Sequence, residues 1–215
     1  VVSTQSTGNK MSIENYYGGS IMAMKGKNCV AIASDRRFGN SFQTQTTNEP
    51  KISQISKYSM LALTMFLPDC QMVHKMIKGE ANIYSLEEGR EIRPKQLTRL
   101  LSSILYEKRF TGGYYVNPII AGLAADKTPY IGAMDSIGAI TDGDDWVVDG
   151  TAHEYLLGPA QYYYKPDMDK EELLKIVTEV MRAGTNRDAY SGWGIDVWIM
   201  DENGVQVHHQ AGRMD

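Results

Sequence analysis

Long apolar runs, cysteine frameworks and a surplus of basic charge are all missing from this chain of 215 residues, and each absence removes a class of function. No stretch reaches the roughly 20 consecutive apolar residues of a membrane span, and the amino terminus lacks the charged and apolar regions of a signal peptide. Two cysteines are too few for a disulfide framework; Cys29 in an expected strand and Cys70 in an expected helix read as small buried apolar residues in a reducing compartment. With 22 Lys and Arg against 26 Asp and Glu, scattered rather than clustered, neither nucleic acid nor an anionic membrane is an expected partner. There is no Gly-rich phosphate loop, no Gly-x-Ser-x-Gly elbow, and no zinc spacing among Cys29, Cys70, His74, His153, His208 and His209, so neither cofactor nor metal is expected. Cytoplasm and nucleus are the expected location.

What is present is a chain of ordinary globular composition, 42% hydrophobic and 22% charged, long enough for one generous domain. Its most telling stretch is Gly18-Gly19-Ser20 followed by Ile21 to Met24, a turn at Lys25 to Asn28, and Cys29 to Ala33 closing at Ser34-Asp35. Both runs are apolar almost throughout instead of alternating, which predicts a hairpin whose strands are buried on both faces. Val1 to Tyr17 is polar and without periodicity and is expected to lie outside the core; Met11-Ser12-Ile13 reads as a natural start, with Val1 to Lys10 upstream of it. The domain is expected to span residues 19–215, with 1–18 as an amino-terminal extension or an unprocessed propeptide-like segment.

Further strands are expected over Ser41 to Thr47, Lys51 to Ile55 and Tyr58 to Met65. The period then changes. Cys70, Val73, Met76 and Ile77 predict a helix from Pro68 to about Leu86, and Leu97, Leu100, Leu101, Ile104 and Leu105 predict another from Arg93 to Arg109, the short link making them antiparallel neighbours. Sheet returns over Pro118 to Leu123, Thr128 to Asp135 and Asp145 to Asp149; two helices follow, over Thr151 to Tyr164 and Asp169 to about Ala183; a hairpin over Ile195 to Met200 and Val205 to His209 closes the chain. Strands, two helices, strands, two helices, strands is the wrong order for a doubly wound parallel sheet. The expected fold is α+β, a four-layer αββα sandwich of two stacked antiparallel sheets flanked by helix pairs.

Most polar clusters have plain structural readings. His208-His209 reads as a solvated strand edge or a subunit contact, Asp142, Asp144 and Asp145 as a solvated turn, and Tyr162 to Tyr164 as packing or interface. Trp146, Trp193 and Trp198 are candidates for interface or core.

One set of spacings stands apart. A strand opening at Gly19, Ser34-Asp35-Arg36 closing the next, Lys51 after a loop, Asp149-Gly150-Thr151 before a helix and Asp188-Ala189-Tyr190-Ser191-Gly192 before a strand together resemble the beta subunits of the 20S proteasome. Gly18 to Ala33, Leu105 to Phe110, Asn117 to Leu123 and Arg213-Met214-Asp215 are most similar to the family's beta type-3 branch. The resemblance runs from about Met11 to Asp215 and implies the amino-terminal-nucleophile fold. Active members attack a peptide carbonyl with the hydroxyl of an amino-terminal threonine, and its place here is Gly19. The resemblance carries over Asp35 and Lys51 as the family's carboxylate and lysine, and Asp188 and Ser191 as a later carboxylate and hydroxyl. Two positions depart: Asp149 stands where active members carry a serine near the nucleophile, and Met65 where they carry a glycine whose N–H helps hold the oxyanion.

The resemblance therefore implies a non-catalytic structural subunit, built into a hetero-oligomeric 28-subunit barrel of alpha and beta subunits and meeting polypeptide substrates of ubiquitin-dependent degradation only indirectly. An alternative is an active hydrolase using Ser20, although alternation along the strand turns its hydroxyl away from the face of residue 19. Asp135 corresponds to a position that projects into a neighbouring subunit's substrate pocket; as a residue it also reads as a turn-capping carboxylate.

Overall fold

The structure, a computed structural model, describes residues 13–214. The first twelve residues, including the expected extension Val1 to Lys10 and the start at Met11, lie outside the described residues, as does Asp215 of the closing tail.

The elements run α1 (Glu14–Tyr17), β1 (Ser20–Gly26), β2 (Cys29–Asp35), β3 (Phe38–Asn40), β4 (Gln43–Thr46), β5 (Ile52–Ser56), β6 (Ser59–Met65), α2 (Leu67–Glu88) and α3 (Pro94–Glu107). They continue with β7 (Val116–Leu123), β8 (Pro129–Met134), β9 (Ile140–Asp142), β10 (Trp146–Gly150), α4 (His153–Tyr163), α5 (Lys170–Thr185), β11 (Ile195–Asp201) and β12 (Gly204–Gln210). One five-stranded sheet has the order β10-β1-β2-β11-β12, the other β5-β6-β7-β8-β9, and every pairing is antiparallel.

Three hydrophobic clusters mark the three spaces between four layers, and side-chain alternation distributes each strand between two of them. Along β1, Ile21 and Ala23 face the opposite sheet while Met22 and Met24 face α4 and α5; on β2, Val30 and Ile32 point one way and Ala31 and Ala33 the other. β6 divides in the same manner, with Met60 and Ala62 between the sheets and Leu61 and Leu63 beneath α2 and α3. This is why these strands read as continuous apolar runs: both faces are covered. Each fully buried Ile, Leu or Met side chain contributes about 1.5–3 kcal/mol.

The helices follow their local signals. Pro94 opens α3, and Leu97, Leu101 and Leu105, one turn apart, are fully buried. α2 stops at Gly89 in the left-handed region, and Asp169 caps α5 by accepting from Glu172 N–H at 2.8 Å. Three details differ from the expectations. The strand expected over Ser41 to Thr47 is shorter, and β3 pairs with it as a separate two-stranded sheet. β9, three exposed residues long, has too little pattern to be read in advance. The segment before Gly18, expected outside the core, carries the single turn α1, whose Tyr17 ring stacks on Phe38 at 5.6 Å and meets Phe66 at 5.4 Å.

Candidate functional site

The site forms where β1 and β2 pass each other at one end of the sandwich. Gly18, which separates α1 from β1, is held so closely that a Cβ there would strike the Cβ and carbonyl of Tyr190. Gly19 follows, its carbonyl accepting from Thr151 N–H at 2.9 Å and from the Thr64 hydroxyl at 3.2 Å. A Cβ at residue 19 would lie 2.9 Å from Lys51 Cε, 3.1 Å from Thr64 Oγ1 and 3.5 Å from Asp35 Oδ1. A side chain at this position would therefore point straight at the lysine and carboxylate, and Gly19 supplies none.

Lys51 and Asp35 form a buried ion pair, Nζ to Oδ1 2.8 Å, with side-chain exposures of 7% and 0%. Lys51 Nζ also donates to the carbonyls of Arg37 at 2.7 Å and Asp35 at 3.3 Å, which uses all three ammonium hydrogens. The Asp35 carboxylate in turn accepts from three backbone N–H groups, of Ser20 at 2.9 Å, Arg37 at 3.1 Å and Gly192 at 3.2 Å. A charge pair taken out of water needs this degree of satisfaction to persist. Next to it the Arg37 guanidinium is buried, donating to Thr44 Oγ1 at 2.9 Å and to the carbonyls of Ser41 at 2.8 Å and Tyr190 at 3.1 Å. Burial draws its pKa down, but an arginine remains charged.

On the other side of β1 lies a cluster of hydroxyls. Ser20 Oγ is 2.6 Å from Ser191 Oγ and accepts from Ala152 N–H at 3.1 Å. Thr151 Oγ1 donates to Asp188 Oδ2 at 2.6 Å, lies 3.0 Å from Ser191 Oγ and accepts from Gly19 N–H at 3.3 Å. Ser191 Oγ donates to the same Asp188 oxygen. Ser20 is fully buried, and its hydroxyl is directed into this cluster and away from Lys51.

Asp35, Lys51, Asp188 and Ser191 thus converge on the start of β1, in two groups separated by the strand. Asp149 lines the cleft at Gly19 without entering either group. It pairs with Ile21 across β1 and β10, and its Oδ1 accepts from Asn117 Nδ2 at 3.0 Å and from Gly150 N–H at 2.6 Å. The residue whose side chain bonds to Gly19 from this strand end is Thr151, which the sequence offers in the Asp149-Gly150-Thr151 motif without a role of its own. Gly150 at φ +99° ends β10 and carries the chain under Gly19. Met65 ends β6 at φ +95°, a conformation that favours glycine, and lines a cleft of about 300 Å³ together with Gly19, Thr64, Asn117 and Asp149. Asp135 is exposed and caps its own turn, Oδ1 accepting from Ile137 N–H at 3.0 Å and Ala139 N–H at 2.8 Å. His209 Nδ1 is 2.7 Å from Asp196 Oδ1 on the outer strand of its sheet, and among the described residues no group of three or more His, Cys, Asp or Glu is placed to hold a metal. Both cysteines are free and buried; burial pushes the Cys70 thiol up to about 12.

A family model described as "Proteasome subunit" matches residues 16–200. The chain belongs to the proteasome subunit family. This proteasome subunit is similar to "Proteasome subunit beta type-3-A" of Arabidopsis thaliana, 42% identical over 205 residues, which cover 95% of this chain and 100% of that protein. It is 40% identical over 205 residues to "Probable proteasome subunit beta type-3" of Schizosaccharomyces pombe, again over 95% of this chain and 100% of the other. "Proteasome subunit beta type-3" of Dictyostelium discoideum is 39% identical over 206 residues, with the same coverage.

Proposed function

We propose that this chain is a non-catalytic beta subunit of the proteasome core particle, of the beta type-3 kind, which helps build a beta ring within a 28-subunit barrel and supports threonine-protease subunits beside it. The observation that carries this reading is Gly19: the position that faces Lys51 and Asp35 has no hydroxyl, and a nucleophile must stand within hydrogen-bond reach of its base. Its place of action is that of the particle, in cytoplasm and nucleus, and its part in degrading ubiquitin-marked proteins is indirect. The retained Asp35, Lys51, Asp188 and Ser191 serve the fold in this reading. Ser20 is a poor substitute nucleophile, being fully buried with its hydroxyl bonded to Ser191 and Ala152.

Intact-mass measurement of this subunit from its native particle, with and without an electrophile that modifies amino-terminal threonine, tests the proposal. The expected result is a chain that retains residues before Gly19 and carries no adduct. A chain that begins at Ser20, or an adduct on it, overturns the non-catalytic reading.

A further inference from the structure

We infer that Asn203 is a site of spontaneous deamidation, at which the subunit gains a carboxylate as it ages, and that the cationic cleft beside the β11–β12 turn accommodates the added charge. This goes beyond the reading of the vacated site and does not depend on it.

Of the asparagines along the chain, only Asn203 is followed by glycine. It sits with Glu202 at the tip of the closing hairpin, where Asp201 pairs with Gly204, and it is exposed. The turn is fastened while the Asn203 side chain is not. Asn203 N–H donates to Asp201 Oδ1 at 2.8 Å, Lys170 Nζ to Asp201 Oδ2 at 2.6 Å and Lys127 Nζ to Glu202 Oε2 at 2.9 Å. The side-chain amide of Asn203 has no hydrogen bond among the described residues and is free to turn toward Gly204. At Gly204 a Cβ would meet nothing within 4 Å, and its φ of +127° lies where glycine is favoured, so no side chain obstructs approach to its nitrogen. Other asparagines lack these conditions. Asn117 precedes proline, which has no N–H to lose, and is bonded to Asp149; Asn48 accepts from Arg36; Asn28 precedes the buried Cys29.

The reaction needs only water. The Gly204 nitrogen attacks Asn203 Cγ and forms a new N–Cγ bond; the Cγ–Nδ2 bond breaks, and the side-chain nitrogen leaves as ammonia with the proton that Gly204 gives up. Water then opens the cyclic imide at one carbonyl or the other. One opening leaves aspartate, the other isoaspartate, with the backbone running through Cγ. The product carboxylate meets positive charge. Asn203 lines a cleft of about 500 Å³ together with Lys57, Arg93 and Lys127. The Arg93 guanidinium lies 3.5 Å from the Tyr58 ring centre and the Lys57 ammonium 5.6 Å from it, and neither is in an ion pair among the described residues. The acidic residues of the cleft, Asp201 and Glu202, are each already matched by a lysine. A negative charge at residue 203 is therefore balanced and not crowded.

Ageing the purified particle in buffer made with heavy-oxygen water, followed by digestion and mass analysis of this subunit, tests the inference. The expected result is loss of Asn203 with time and its replacement by both aspartate and isoaspartate carrying heavy oxygen, while Asn40, Asn48 and Asn186 stay intact in the same digest. Asn203→Gln, whose longer side chain closes no such ring readily, is expected to abolish the change. An intact Asn203, conversion to aspartate without isoaspartate, or equal conversion at the other asparagines overturns the site. Asn203→Asp supplies the charge without the rearrangement and is expected to assemble in the yield of the unmodified subunit; a lowered yield overturns the role given to the cleft.

Discussion

Gly19 leaves the position that faces Lys51 and Asp35 without a side chain, yet the residues around it remain fully engaged. Lys51 uses all three of its ammonium hydrogens within the protein, and Asp35 accepts from three backbone N–H groups besides. The pair is therefore structural glue whatever its chemical history. Lys51→Met is expected to cost about 3–5 kcal/mol, because it strands a buried carboxylate. The loss would appear as a lowered yield of assembled particle, partly restored in the double variant Lys51→Met with Asp35→Asn, where no charge remains to be buried. The same residues mark how far sequence alone could go. Gly19, Asp35, Lys51, Asp188 and Ser191 were legible through the resemblance, and strand alternation already turned Ser20 from the face of residue 19, but the grouping of Ser20 with Ser191, Thr151 and Asp188 in one hydroxyl cluster was not. Thr151 stood in the Asp149-Gly150-Thr151 motif without a role of its own, because the turn at Gly150 that brings it to Gly19 is not visible in the sequence, while Asp149 lines the cleft at Gly19.

At the scale of elements, the strands that the sequence announced most clearly are those covered on both sides. β1, β2 and β6 are continuous apolar runs because alternate side chains enter different interlayer spaces. β3 and β9 went unread, each three residues long and thus shorter than any periodicity needs. β6 also carries a local conflict at its end. Met65 at φ +95° sits in a conformation whose cost for a residue with a Cβ is about 1–2 kcal/mol. Met65→Gly removes this strain and is expected to stabilise the subunit by up to about 1 kcal/mol after the entropic cost of glycine, whereas Met65→Ala keeps the strain and gains nothing. Comparing the thermal midpoints of the two variants with that of the parent protein checks the sign.

For the whole molecule, the interlayer spaces account for the buried surface, and what they leave uncovered is substantial. Tyr162 is 81% exposed, and Tyr155, Leu157 and Tyr163 lie beside it on α4, while Leu86 and Phe110 are 85% and 81% exposed near the ends of α2 and α3. Exposed aromatic and aliphatic side chains in this number are what an assembled subunit keeps for its neighbours, and they are a liability when it stands alone. The isolated chain is expected to self-associate, with light scattering rising on concentration; Tyr162→Ser with Tyr163→Ser is expected to slow that rise. A monodisperse unmodified chain at high concentration contradicts it.

The hydroxyl cluster also has a bearing on time. Ser20 meets Ser191, and Thr151 meets Asp188 and Gly19, so the first strand is fastened by residues that are synthesised long after it. β2 likewise finds a neighbour in β11. Contacts of such long sequence separation form late and slowly. While the chain is being made, β1 and β2 have each other, then the opposite sheet and the helices that cover their faces, but the outer edge of β2 waits unpaired until β11 follows.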